Sequence, residues 1–86
     1  MADAAAPAWV RDTAPDGTGF IRAGAGTPVL LIHGVGMNAA IWQDQIELMK
    51  DRHDLIAIEM LGHGNSPLPP ENAALSDFAD QAIRLL

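Results

Sequence analysis

The 86-residue sequence has no cysteine, only five lysines and arginines, and no hydrophobic run long enough to cross a bilayer. Lack of cysteine excludes a disulfide framework and a thiolate metal site. His33, His53 and His63 do not have zinc-like ligand spacing, so no metal is expected. The eleven acids outnumber the basic residues and set a net charge of −6. They are scattered from Asp3 to Asp80 without an acidic block, and nucleic acid is not an expected partner. The strongest apolar run, residues 29–32, is far too short for a membrane span. Met1 to Pro7 has neither a basic region nor an apolar stretch of signal-peptide length, so no membrane partner is expected and a cytoplasmic location is the default. Internal repeats are absent.

A hydrophobic fraction of 49% with 19% charged residues belongs to a globular chain. Its length allows one small domain of marginal stability. Residues 1–8 read as a loose tail and residues 9–86 as the N-terminal part of a single domain. Residues 9–13 and 19–23 are short β-compatible runs separated by Pro15-Asp16-Gly17, which predicts a hairpin. Gly24-Ala25-Gly26-Thr27-Pro28 predicts a loop, with the proline ending any ladder.

Residues 29–32, continuously apolar, predict a central parallel strand covered on both faces. Asn38 is a candidate cap for a helix whose core face carries Trp42, Ile46 and Met49 and which ends near Asp51-Arg52-His53. Residues 55–58 form a second buried strand, completing a βαβ unit. The right-handed crossover of such units puts the C-terminal ends at Ile32 and Ile58 on one sheet edge, where functional loops gather. After a glycine- and proline-rich stretch through Pro70, Ser76 is a candidate cap for a last helix with a stripe of Ala79, Ala82, Ile83 and Leu86. No termination signal follows Leu86, so the sequence reads as cut short.

Two segments carry chemistry. His33-Gly34-Val35-Gly36, between a strand and a helix, is similar to the oxyanion-hole segment of α/β-hydrolases. Glu59-Met60-Leu61-Gly62-His63-Gly64-Asn65-Ser66 resembles that family's acidic-x-x-Gly-x-Gly-x-Ser loop, with Glu59 where the family usually has Asp. The two motifs stand in the family's order, and the resemblance runs from about Trp9 to Leu86. It implies an α/β fold, specifically a partial α/β-hydrolase sheet in which a β-hairpin precedes β-α-β-α and the three-layer architecture is incomplete.

Acyl transfer builds negative charge on a carbonyl oxygen, which backbone N–H groups fixed in advance stabilise without reorganising. The resemblance places the oxyanion hole at Val35 and Gly36, with the Val35 N–H as first choice, and makes His33 and Gly34 supports of the turn. Family practice takes the second donor from the residue after the nucleophile. Glu59, Gly62, Gly64 and Ser66 are expected to brace the second loop, and Met37, beside the turn, is a candidate substrate contact. His63 and Ser66 lie close on one loop, yet Gly62-His63-Gly64-Asn65-Ser66 lacks the Gly-x-Ser-x-Gly elbow of a serine nucleophile. No catalytic residue is therefore assigned within the chain.

The resemblance implies a hydrolase acting on small ester, lactone or related acyl substrates, with no cofactor. Nucleophile and base belong to later elements of the fold, so this chain is expected to be inactive alone and to self-associate through an exposed strand edge. One alternative is a dinucleotide-binding module. Gly34-Val35-Gly36-Met37-Asn38-Ala39 satisfies Gly-x-Gly-x-x-Gly/Ala, and Glu59 at the end of the next strand would take a ribose hydroxyl.

Overall fold

The computed structural model describes residues 10–86, so the expected tail and Trp9 lie outside the described residues. Its elements are β1 (Val10–Thr13), β2 (Gly19–Gly24), β3 (Thr27–Ile32), a 3-10 turn over Ala39–Trp42, α1 (Gln43–Met49), β4 (His53–Ile58) and α2 (Leu75–Leu85). The strands form one sheet in the order β1-β2-β4-β3. β1 pairs antiparallel with β2, β2 antiparallel with β4, and β3 parallel with β4. A hairpin followed by β-α-β-α is the partial α/β sheet that the sequence predicts.

β4 is the spine of this sheet, and residues 55–58 are buried along its whole apolar run. Leu55 and Ala57 turn to the face where Ile21, Ala23, Leu31, Ala39 and Ile46 cluster, with Val29, Trp42 and Met49 packed against them. The helical spacing of Trp42, Ile46 and Met49 thus presents one apolar stripe to the sheet, as expected. Asn38 does cap: its side chain accepts the Ala40 N–H at 2.9 Å. What it caps is the 3-10 turn, and α1 follows as a separate, shorter helix.

Four expectations need correction. β3 is not covered on both faces, because Ile32 is 50% exposed; among the described residues β4 is its one partner, which leaves the open strand edge that the sequence predicts. Pro28 does not end the ladder but lies inside β3, in register with Asp54. An edge strand tolerates proline because its missing N–H need not deprive a neighbour. α2 starts one residue before Ser76. Its first turn is closed by Asp77, whose carboxylate accepts the Ala74 N–H at 2.7 Å. Lastly, the apolar stripe of α2 is not buried: Ile83 is 69% and Leu86 71% exposed, and the buried residue of the helix is Gln81. This helix is anchored by the hydrogen bonds of Gln81, with Phe78, Ala82 and Leu85 only half-buried and Ile83 and Leu86 left exposed.

Candidate functional site

β3 and β4 run parallel, so their C-terminal ends release the chain on one sheet edge, and the two motif loops meet there. Residues 33–36 leave β3 through a tight turn in which Met37 N–H donates to Gly34 O at 3.1 Å. Gly36 adopts φ +83°, and a Cβ there would meet nothing within 4 Å. Glycine is required at this position by backbone conformation rather than by space.

Two histidines clamp the turn. His33 is buried; its Nε2 accepts the Met60 N–H at 3.0 Å, so its Nδ1–H donates to Gly34 O at 2.7 Å. His63 Nε2 accepts the Gly36 N–H at 2.9 Å, and its Nδ1–H donates to Leu61 O at 3.1 Å. The rings are tilted by 54° with centroids 4.8 Å apart. All four ring nitrogens are committed to backbone, so neither ring is placed as a proton-transfer group or a metal ligand. Among the described residues no cluster of three or more histidine, cysteine or acidic side chains could hold a metal.

Behind the turn lies a buried polar node on Glu59, which is 0% exposed at the end of β4. Its Oε1 accepts from Arg11 Nη1 at 2.9 Å and from Asn65 N–H at 3.0 Å, and Oε2 accepts from Ala39 N–H at 3.3 Å. One carboxylate therefore ties β1, the start of the 3-10 turn and the second motif loop together. Burial pushes the Glu59 pKa up, but the Asn65 N–H, the Arg11 guanidinium and the Ala39 N–H outweigh it and hold the carboxyl below its ordinary value. Gly64 explains itself here, because a Cβ on its φ +52° backbone would collide with the Glu59 carboxylate. Gly19 is constrained similarly, with a Cβ coming 2.7 Å from Glu59 Oε1.

Ser66 braces the same node. Its hydroxyl accepts the Gly19 N–H at 2.9 Å and donates to Glu59 O. Gln81 completes the set: its Nε2 donates to Glu59 O at 3.0 Å and to Thr18 Oγ1 at 3.2 Å, while its Oε1 accepts the Leu61 N–H at 3.0 Å. Arg11, Thr18 and Gln81 were not singled out by the sequence reading. Their partners lie 48, 63 and 22 residues away, and no local pattern reports such pairings.

An open cleft of about 370 Å³ adjoins the turn, lined by Ile32, His33, Gly34, Val35, Met60, His63, Leu75 and Phe78. Val35 belongs to this lining and is 96% exposed, and its N–H has no acceptor among the described residues. Gly36, the other candidate donor, gives its N–H to His63. Met37 is half exposed and lies outside the lining. The nucleotide alternative fails on Glu59, whose buried and fully engaged carboxylate has no room for a ribose hydroxyl.

A strand, a clamped histidine-glycine turn, a crossover to a parallel strand and a glycine loop held by a buried acid together define a class of enzyme fold. The alpha/beta hydrolase fold family model matches residues 27–86, and the chain belongs to that family. It is 42% identical over 67 residues to the (E)-2-((N-methylformamido)methylene)succinate hydrolase of Acinetobacter baylyi, a match covering 78% of this chain and 26% of that protein. It is also 38% identical over 50 residues to the pimeloyl-[acyl-carrier protein] methyl ester esterase of Aeromonas hydrophila, covering 58% of this chain and 20% of the relative. The structure of an E-2-(acetamidomethylene)succinate hydrolase superposes with a TM-score of 0.82 at 26% identity, over 90% of this chain and 30% of that one. The chain thus spans about a quarter of the length of these relatives.

Proposed function

We propose that this chain contributes the oxyanion-stabilising turn of a hydrolase acting on small ester, lactone or related acyl substrates, with the Val35 N–H as donor. The observation that carries this reading is an unengaged N–H on a cleft-lining residue that stands between two anchored groups, the Gly34 carbonyl and the Gly36 N–H. A donor held in place before reaction stabilises developing charge without reorganisation. The relatives' names support an acyl substrate without choosing among its kinds.

Ser66, by its two bonds to backbone, is not the nucleophile of this scheme, and the two histidines are not its base. The 86 residues alone are therefore inactive on p-nitrophenyl acetate and butyrate. Turnover that survives purification and scales with chain concentration overturns the proposal. In a longer protein that carries this sequence together with a nucleophile, Val35→Pro removes the donor and slows acyl transfer by roughly a hundredfold. An unchanged rate in a folded variant, checked by circular dichroism, counts against Val35. The unpaired side of β3 supports self-association of the 86-residue chain through that edge, which sedimentation reads directly.

A further inference from the structure

We infer that His63 is a positioning residue for the oxyanion turn, holding the Val35–Gly36 peptide against a flip. This rests on the reading of residues 33–36 as that turn. Val35 is flanked by two peptide units, and its own N–H belongs to the first of them, with Gly34 O. There are no cis peptide bonds among the described residues, so the Val35 N–H points opposite to Gly34 O. Gly34 O accepts from His33 Nδ1–H and from Met37 N–H, which fixes the plane of that unit and hence the direction of the donor.

The second unit joins Val35 O to the Gly36 N–H. Its described anchor is His63 Nε2, contributed from 27 residues along the chain. Gly36 sits at φ +83° with no neighbour within 4 Å of a would-be Cβ, so no side chain of its own and no close packing around its Cα helps to hold that unit. A flip would redirect the Val35 carbonyl and the Gly36 N–H together, changing the polarity that the turn shows to the cleft. His63 opposes this only in one tautomer, with Nε2 bare and the hydrogen on Nδ1. Leu61 O selects that tautomer by accepting from Nδ1 at 3.1 Å, and the His33 ring at 4.8 Å limits tilting. The Gly62-His63-Gly64 segment thereby acquires a purpose beyond bracing its own loop: it presents an acceptor to the neighbouring turn.

The test uses the isotopically labelled 86-residue chain. Long-range proton–nitrogen spectra should show His63 with Nδ1 protonated and Nε2 bare, and a scalar coupling across the hydrogen bond from the Gly36 nitrogen. His63→Phe fills the ring volume without an acceptor and should speed Gly36 amide exchange roughly tenfold while the β4 amides hold. His63→Gln returns an acceptor oxygen and should bring that rate back to within about threefold of the original. A hydrogen on Nε2, tautomer-averaged imidazole shifts, or Gly36 exchange indifferent to His63→Phe each overturns the inference. If His63→Phe does not fold, the tautomer spectrum of the unsubstituted chain decides the question. Failure here leaves Val35 as donor intact, since that reading is judged by the Val35→Pro rate.

Discussion

Two regions meet at the C-terminal end of β4 and are held in opposite ways. Around Glu59 the interior is polar, and the groups at its centre are paired: a carboxylate with three donors, and a serine hydroxyl and a glutamine amide bonded at both ends. Across the cleft, α2 exposes Leu75, Ile83 and Leu86 and buries only Gln81. Directional bonds fix geometry within the chain, whereas an apolar face gains stability only when something covers it. The turn that carries the proposed chemistry is therefore positioned by its polar neighbours, and the helix lining the cleft is held by far less.

This contrast can be broken most severely at Glu59. Glu59→Ala leaves the Ala39 and Asn65 N–H groups without their acceptor, and about 3 kcal/mol of stability should be lost in urea unfolding followed by circular dichroism. A midpoint equal to that of the unsubstituted chain would show that the node is ornamental. Because the folded pKa of Glu59 lies below its ordinary 4.5, its contribution is complete above that value and disappears as pH falls through the lowered folded pKa. Glu59→Gln should accordingly weaken the acid dependence of unfolding, and an unchanged acid limb would assign that dependence to other carboxylates.

Gly64→Ala comes next, at about 2 kcal/mol, because it adds both a collision with the Glu59 carboxylate and strain at φ +52°. Gly36→Ala meets no atom and should cost only about 1 kcal/mol from its backbone conformation. Equal effects of the two would argue that space around Glu59 is not what selects Gly64. A smaller and more local loss is expected for Gln81→Ala. The amides of α2 should exchange about tenfold faster with the β4 amides unaffected, as measured by hydrogen exchange. At the bottom of the scale, Ile83→Lys on the uncovered face should shift stability by less than about 0.5 kcal/mol. A large loss there would mean that α2 is covered in solution, and sedimentation would then reveal by what.

The architecture was legible where the pattern is local and dense. Residues 55–58 announce a buried strand by continuous apolarity, and Trp42, Ile46 and Met49 announce a packed helix face by their spacing. Legibility failed at the ends of elements and wherever the deciding partner is remote. Proline usually terminates a strand, and the edge position that permits Pro28 inside β3 is a property of the sheet. Ser76 is a better capping residue than Ala74, yet the Asp77 carboxylate supplies the first turn and moves the boundary. The stripe on α2 was visible, but whether anything covers it depends on chain-distant surfaces. Among the site residues, His33, Gly34, Val35, Gly36 and the Glu59 loop were found through motif resemblance, whereas Arg11, Thr18 and Gln81 carry no motif.

The remoteness of those partners also bears on how the fold is reached. Arg11 and Glu59 are 48 residues apart, Gly19 and Ser66 47, and Thr18 and Gln81 63. Closing such loops costs entropy before any of the bonds can return it, so the node belongs to the late, native side of the folding barrier. Substitutions at Glu59, Ser66 or Gln81 should then speed escape from the native state while leaving the rate of reaching it nearly unchanged. What the long-range polar contacts govern is the lifetime of the assembled turn, not the time taken to assemble it.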